Sequence, residues 1–167
     1  MDITIRPARP AEFAAVGDLL VEAYLADGLL AFGESDPYAA VLRRVAHRAE
    51  HAEVLVAVEP RRGAVLGTVT FAAYGSPYAD LAGPGEGEFR MLAVQFEGRG
   101  QGIGAALVTA CMERARALGL RALVLSSQRQ LLPAHRLYRR LGFERAEERD
   151  WDPIPEVTLW AFARELV

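Results

Sequence analysis

The stretch Glu88-Phe-Arg-Met-Leu-Ala-Val94, followed by Gln-Phe-Glu-Gly and by Arg99-Gly-Gln-Gly-Ile-Gly104, decides how the chain is interpreted. Its first seven residues predict a β-strand, and its glycines predict a tight loop before a helix over residues 102–118. Glycines allow successive backbone N–H groups to turn into one concavity, and the helix adds unpaired donors and a positive dipole end. This order of strand, loop and helix predicts a cradle for a pyrophosphate.

Two other phosphate-binding loops fit this stretch less well. A Walker-type loop requires a lysine, and all 19 basic residues of the chain are arginine. A dinucleotide-binding loop matches Gly100-x-Gly102-x-x-Ala105, but it should follow its strand closely and be followed by an acid about 20 residues further on. Here residues 95–99 separate the strand from Gly100, and the next strand ends Leu123-Val-Leu-Ser-Ser127 without an acid.

Arg99-x-x-Gly102-x-Gly104, placed after Leu92-Ala-Val94, closely resembles the acetyl-CoA signature of the GNAT superfamily of N-acetyltransferases. Downstream, Ala134-His-Arg-Leu-Tyr138-Arg-Arg-Leu-Gly-Phe143 is similar to the helix and strand that close the cofactor site in that family. The element order agrees from Glu88 to Phe143. The resemblance implies an α/β fold with a GNAT-like mixed, splayed β-sheet flanked by helices, in a single domain over residues 1–167.

The same resemblance implies acetyl-CoA as the acyl donor. The backbone of the strand end would hydrogen-bond the pantetheine arm, the N–H near Leu92 would polarise the thioester carbonyl, and the loop amides would hold the pyrophosphate. The implied cofactor-binding residues are Leu92, Ala93, Val94, Arg99, Gly100, Gln101, Gly102, Ile103, Gly104 and Ala105. The alternative interpretation makes the glycines plain turn formers and Arg99 a solvated loop charge.

Two residues are candidates for proton transfer. An alkyl amine with a pKa of about 10.4 must lose a proton before it attacks, so a base is required. By the resemblance, Glu88 stands where some family members carry that base, and Tyr138 where many carry the acid that protonates the leaving thiolate. The alternatives are that Glu88 caps its strand with Arg90 as an ion-pair partner, and that Tyr138 is a core aromatic.

One position departs from the family pattern. Many members carry an asparagine seven residues before the tyrosine, where this chain has Leu131. The contact to pantetheine would then be absent or come from Ser126, Ser127 or Gln128. The departure weakens assignment to the branch that acetylates ribosomal proteins or protein N-termini.

The implied reaction is direct attack of a small-molecule or peptide amine on acetyl-CoA. Asp80, Glu86 and Glu88 are expected to line the acceptor side and to favour a cationic amine. The alternatives are a non-catalytic acyl-CoA-binding or sensing domain, and a protein acetyltransferase acting on lysine or on N-termini. Family analogy alone suggests a homodimer.

The composition of the chain bears on its partners, its location and its ability to bind a metal. A net charge of −3 argues against nucleic-acid binding, and no apolar run is long enough to span a membrane. The absence of a signal-like N-terminus predicts a cytoplasmic protein, and the arginine-only composition suggests a bacterial source. The single Cys111 is predicted to lie in the core. No metal site is expected, since His47 and His51 are assigned to a solvated helix face and His135 to a helix surface.

The remaining elements follow from hydrophobic periodicity and from glycine and proline positions. Residues 74–87 are predicted to form a glycine-rich loop next to the ligand, and a short helix is predicted with Pro133 in its first turn. Strands are predicted over residues 3–6, 53–58, 66–73, 88–94, 122–125 and 157–162, and further helices over residues 11–25 and 38–50.

Overall fold

The computed structural model describes residues 2–166, so Met1 and Val167 of the predicted domain lie outside the described residues. The strands are β1 (Thr4–Pro7), β2 (Glu53–Glu59), β3 (Ala64–Ala73), β4 (Glu86–Val94), β5 (Ala122–Gln128), β6 (Glu144–Arg145), β7 (Trp151–Ile154) and β8 (Val157–Glu165). The α-helices are α1 (Phe13–Ala26), α2 (Pro37–Arg43), α3 (Val45–His51), α4 (Ile103–Ala117) and α5 (Leu132–Arg140).

The strands form one mixed sheet. Its order is β1-β2-β3-β4-β5-β8-β6, and β7 pairs with β8. Strands β4 and β5 pair in parallel through Glu86–Glu88 and Ala122–Val124, whereas β5 pairs with β8 in antiparallel register along its whole length. These strands and the five helices confirm the predicted mixed α/β class.

The described chain divides into two compact units, of which the first comprises residues 2–71 and 91–110. Strand β2 pairs antiparallel with both β1 and β3, so its residues Leu55, Val56 and Ala57 are buried. The core of this unit also takes apolar side chains from the helices, including Val16, Leu20, Leu42 and Val45.

The start of α4 packs closely on β3 within this first unit. A side chain added at Gly67 would place its Cβ 3.0 Å from Ile103 Cγ2 and 3.0 Å from Leu107 Cδ1. Both helix residues are almost fully buried. A side chain at position 67 would therefore force these neighbours to shift, so glycine allows the close approach of the helix to the strand.

The second unit comprises residues 72–90 and 111–166 and is centred on β5 and β8. Its aromatic core packs edge to face: the ring of Phe89 lies 5.7 Å from that of Tyr138 and 5.9 Å from that of Phe143, and Phe162 also contacts Tyr138. Cys111 is fully buried in this unit, as predicted.

Several element boundaries differ from the prediction. The predicted helix over residues 38–50 is two helices, because Arg44 has non-helical backbone angles (φ −80°, ψ 54°). The buried guanidinium of Arg48 donates hydrogen bonds to the carbonyls of Val41 (2.8 Å) and Leu42 (2.9 Å), so it satisfies acceptors that a continuous helix would use itself. Strand β8 runs further than predicted, to Glu165, and the short strand β7 was not predicted.

None of the helices in the described part of the chain is both long enough and apolar enough to cross a membrane.

Candidate functional site

The glycine-rich loop lies in the first unit, between β4 and α4. Arg99 is extended, Gly100 and Gly102 have positive φ angles of 77° and 78°, and α4 begins at Ile103. A Cβ added at either glycine would meet no protein atom within 4 Å. The left-handed backbone and the open space occur together at both glycines, so a ligand can approach the backbone of the loop closely there.

The rear of this loop is held by close packing and by the backbone. A Cβ added at Gly98 would lie 2.9 Å from Ile103 Cδ1 and 3.3 Å from Val94 Cγ1. The N–H of Gln95 donates to the carbonyl of Leu66 at 2.8 Å. The predicted cradle residues therefore stand on a fixed base, with Gly100 and Gly102 facing open space.

Arg99 carries the positive charge of the loop. Its guanidinium lies 3.8 Å from the carboxylate of Asp27, the residue that follows α1, and both side chains are partly exposed. The side chain of Gln101 instead donates to the carbonyl of Glu97 at 3.0 Å. The distance between Arg99 and Asp27 is therefore close to the longest at which two charged groups form an ion pair.

Strand β4 is interrupted at Met91, where φ is 55° although the side chain is buried. Positive φ is uncommon in a residue with a side chain and marks a local break in an extended strand. Regular strand alternation would place Glu88, Arg90, Leu92 and Val94 on one face, and the positive φ at Met91 interrupts that alternation. No glycine or asparagine signals the break in the sequence.

Leu92, Ala93 and Val94 form the end of β4 after this break. Ala93 is buried, whereas Leu92 and Val94 are half-buried. These are the residues whose backbone was predicted to bind the pantetheine arm.

Glu88 lies in the second unit and is only 2% exposed. Its Oε1 atom accepts hydrogen bonds from the N–H groups of Leu81 (2.7 Å) and Ala82 (2.9 Å). Burial raises the pKa of the Glu88 carboxyl, and the two amides and the charge of Arg90 oppose that rise without cancelling it. A buried carboxyl with a raised pKa is a stronger base than an exposed glutamate.

The other two predicted acceptor-side carboxylates are paired with arginines. Asp80 accepts a hydrogen bond from Arg90 at 2.8 Å. Glu86, which is 5% exposed, accepts hydrogen bonds from Arg149 at 2.8 Å and 3.1 Å and from the N–H of Gly83 at 2.8 Å. Although burial is unfavourable, these partners lower the pKa of Glu86. Both carboxylates are therefore neutralised locally.

Tyr138 projects from α5 into the aromatic core of the second unit and is 6% exposed. Its burial raises the pKa of the phenol well above the usual value. The hydroxyl is thus protonated at neutral pH, and the ring contacts those of Phe89, Phe143 and Phe162.

The prediction for His135 was wrong, since the residue is 1% exposed rather than on the helix surface. Its Nε2 atom lies 3.1 Å from both the Ser127 hydroxyl and the Gln128 carbonyl, and its ring stacks on Trp160. Burial lowers its pKa. The signal was available, because positions 135 and 138 are three apart and share one helix face.

Comparison with known proteins finds a matching family model, a related protein sequence and solved structures with the same fold. The family model for the acetyltransferase (GNAT) family matches residues 15–143. An uncharacterized N-acetyltransferase of Schizosaccharomyces pombe is 34% identical over 104 residues, which make up 62% of this chain and 60% of the yeast protein. The chain therefore matches less than two thirds of that relative's length.

Solved structures of the same family share the fold. A GNAT acetyltransferase from Staphylococcus aureus Mu50 aligns with a TM-score of 0.78 at 13% identity and covers 99% of this chain and 100% of that one. A phosphinothricin acetyltransferase of the GNAT superfamily from Sinorhizobium meliloti, solved with acetyl-CoA, aligns with a TM-score of 0.72 at 25% identity and covers 99% and 89%.

These structures confirm the GNAT-like fold that the sequence predicted, and the family match extends over most of the chain. The protein belongs to the acetyltransferase (GNAT) family of acyltransferases.

Proposed function

We propose that the protein transfers the acetyl group of acetyl-CoA to the amine of a small molecule or peptide by direct attack of the nitrogen. One observation carries this proposal: in a member of the acetyltransferase family, Gly100 and Gly102 have positive φ and open space in front of them at the start of α4. The related phosphinothricin acetyltransferase was solved with acetyl-CoA, which supports the same donor here.

The residues of the first unit fit the coenzyme chemically. The amides from Gly100 to Ala105 and the N-terminus of α4 would donate hydrogen bonds to the pyrophosphate. Arg99 would exchange its 3.8 Å contact with Asp27 for a charge-assisted hydrogen bond to a phosphate oxygen. The backbone of Leu92, Ala93 and Val94 would bind the pantetheine arm. Acetyl-CoA supplies the activated acyl group as a thioester.

The residues of the second unit would move the protons. Glu88 would remove a proton from the ammonium form of the acceptor, so that the neutral nitrogen can attack the thioester carbonyl. A bond forms between nitrogen and the carbonyl carbon, and the bond between that carbon and sulfur breaks. The nitrogen, positively charged after its attack, loses its second proton to solvent, and Glu88 also passes its proton to solvent. The CoA thiolate takes the proton of the Tyr138 hydroxyl, and the resulting tyrosinate is protonated again from solvent.

The environments of both side chains suit these roles. The raised pKa of Glu88 brings its basicity closer to that of the amine, while the two amides fix the orientation of the carboxylate. The raised pKa of Tyr138 keeps its hydroxyl protonated at neutral pH, so that a proton is available when the thiolate forms, but the same rise makes the transfer to the less basic thiolate less favourable. The two groups therefore have opposite tasks and start in the matching protonation states.

A coupled assay that detects free CoA thiol over a panel of amines and peptides tests the proposed function. We expect release with at least one free amine and none when the amine is left out. Calorimetric binding of acetyl-CoA without release on any acceptor would instead support an acyl-CoA sensor. Activity on peptides alone would support a protein acetyltransferase.

Replacing Gly102 with leucine is expected to abolish binding of CoA, because the side chain would fill the space that the coenzyme needs. Isothermal calorimetry measures the affinity. Gly63→Leu is the matched control, since Gly63 also has positive φ (67°) and open space, but lies in the turn between β2 and β3. The control should share the backbone strain and still bind CoA. Retained affinity in the Gly102 variant would contradict the cradle.

Tyr138→Phe should bind acetyl-CoA normally and turn over at least about tenfold more slowly, because only the proton donor is removed. The ring contacts with Phe89 and Phe162 remain, so the fold should be unaffected. Steady-state kinetics measures the effect, with Tyr74→Phe as the control that removes an exposed hydroxyl from the same unit. A Tyr138→Phe turnover equal to that of the wild type would exclude the acid role.

Glu88→Gln should move the pH dependence of kcat/KM to higher pH, because the reaction then depends on amine that has already lost its proton in solution. The glutamine oxygen can still accept from the amides of Leu81 and Ala82, so the local structure should persist. In the wild type, activity falls as the pH drops through the raised pKa of Glu88, since the base works when ionised. The exposed Glu147→Gln serves as control. A profile identical to that of the wild type would mean that another group is the base.

A further inference from the structure

The segment Leu81–Gly83 is bonded on both of its sides. The N–H groups of Leu81 and Ala82 donate to Oε1 of Glu88 at 2.7 Å and 2.9 Å. On the other side, the Leu81 carbonyl accepts from Nη2 of Arg149 at 2.9 Å, and the Gly83 N–H donates to Glu86 at 2.8 Å. The orientation of the two amides thus depends on what holds the opposite side of the segment.

Arg149 makes the first of these outer contacts directly and is linked to the second through Glu86. Besides the Leu81 carbonyl, its guanidinium binds the two carboxylate oxygens of Glu86 at 2.8 Å and 3.1 Å. The same Oε1 of Glu86 accepts from Gly83. A planar guanidinium that reaches a carbonyl and a carboxylate together imposes a fixed geometry that a single ammonium group does not.

The backbone that carries Arg149 is itself fixed. The next residue, Asp150, accepts two hydrogen bonds from Arg145, at 2.7 Å and 2.8 Å, and one from the N–H of Ala161 on β8 at 2.8 Å. Arg149 is therefore held relative to β8, and through its hydrogen bond it holds Leu81, which lies 68 residues earlier in the chain.

We propose that Arg149 is a positioning residue, which holds Leu81–Gly83 so that two backbone amides stay directed at one oxygen of Glu88. The proposal rests on the proposed function, in which Glu88 is the base. Arg149 touches neither the acceptor nor the coenzyme in this scheme and acts through the segment.

The consequence is a change in the basicity of Glu88. Hydrogen bonds from amides favour the ionised carboxylate, so their loss raises its pKa further. The other charged groups that act on Glu88 are Arg90 on its own strand and Asp80 on the preceding loop, and these two are paired with each other. Removing Arg149 also removes a positive charge, so geometry and charge must be separated experimentally.

The test uses the full chain with Arg149→Gln and Arg149→Lys. The carboxyl of Glu88 is titrated by carbon-13 NMR in the free protein, with its resonance assigned through its absence in Glu88→Gln. The pH dependence of kcat/KM is measured in parallel. In Arg149→Gln we expect the Glu88 titration and the acidic limb of the profile to move up together by about one pH unit, as expected for a lost hydrogen bond to a charged group. KM for acetyl-CoA should stay within about twofold.

The lysine variant separates the two causes. It keeps the positive charge but cannot hold the Leu81 carbonyl and both oxygens of Glu86 in the same geometry. We expect Arg149→Lys to show more than half of the shift seen with glutamine. Full recovery of the wild-type titration by lysine would assign the effect to charge and overturn the positioning role.

Arg6→Gln is the matched control for loss of an ion pair. Arg6 binds both oxygens of Glu12 at 2.8 Å and 2.9 Å, and both residues belong to the other unit. The Arg6→Gln substitution should lower the melting temperature of the protein and leave the titration of the Glu88 carboxyl unchanged. If Arg149→Gln does not fold, the lysine variant alone decides: a raised Glu88 pKa upholds the proposal.

Failure of the two proposals can be told apart. An unchanged Glu88 titration in folded Arg149 variants overturns the positioning role. If the titration moves while the kcat/KM profile stays fixed in both Arg149→Gln and Glu88→Gln, the positioning of the carboxyl is upheld and the assignment of Glu88 as the base is rejected.

Discussion

Two buried glutamates on one strand set the main electrostatic constraint on the second unit. Glu86 and Glu88 are only 5% and 2% exposed, and a buried carboxylate is costly unless hydrogen bonds or opposite charges compensate it. The structure compensates them differently. Glu86 receives the guanidinium of Arg149, and its pKa falls, whereas Glu88 receives two neutral amides, and its pKa stays raised. One carboxylate is therefore held as a permanent charge, and the other is left able to exchange a proton.

The first unit meets a steric constraint rather than an electrostatic one. Gly67 and Gly98 have no side chain, so Ile103 can lie against β3 and against the turn before the loop. Because Ile103 is the first residue of α4, this packing fixes the helix N-terminus behind the two left-handed glycines. Donors fixed in this way need little reorganisation when an anion binds, which is the condition for strong backbone recognition of a phosphate.

The sequence predicted the features that depend on local chemistry. The loop glycines, the bounds of α4 to within one residue at each end, and the burial of Cys111 all follow from residue types and periodicity. The missed features depend on partners far away in the chain. Arg149 meets Glu86 across 63 residues, and Arg48 divides a predicted helix by binding its carbonyls. The positive φ at Met91 has no local signal, because methionine does not favour that region of backbone angles.

The arginine partners also change what the acidic cluster of the second unit can do. Asp80, Glu86 and Glu88 were expected to attract a cation, but Arg90, Arg121 and Arg149 lie beside them, with Arg121 3.7 Å from Glu86. A strongly negative cluster would stabilise the ammonium form of an acceptor and raise its pKa, which opposes the loss of the proton. A cluster whose carboxylates are paired with arginines does not raise the pKa of the acceptor amine in this way. The pairing of the neighbouring carboxylates thus favours a role of Glu88 in taking a proton over a role of the whole cluster in holding a cation.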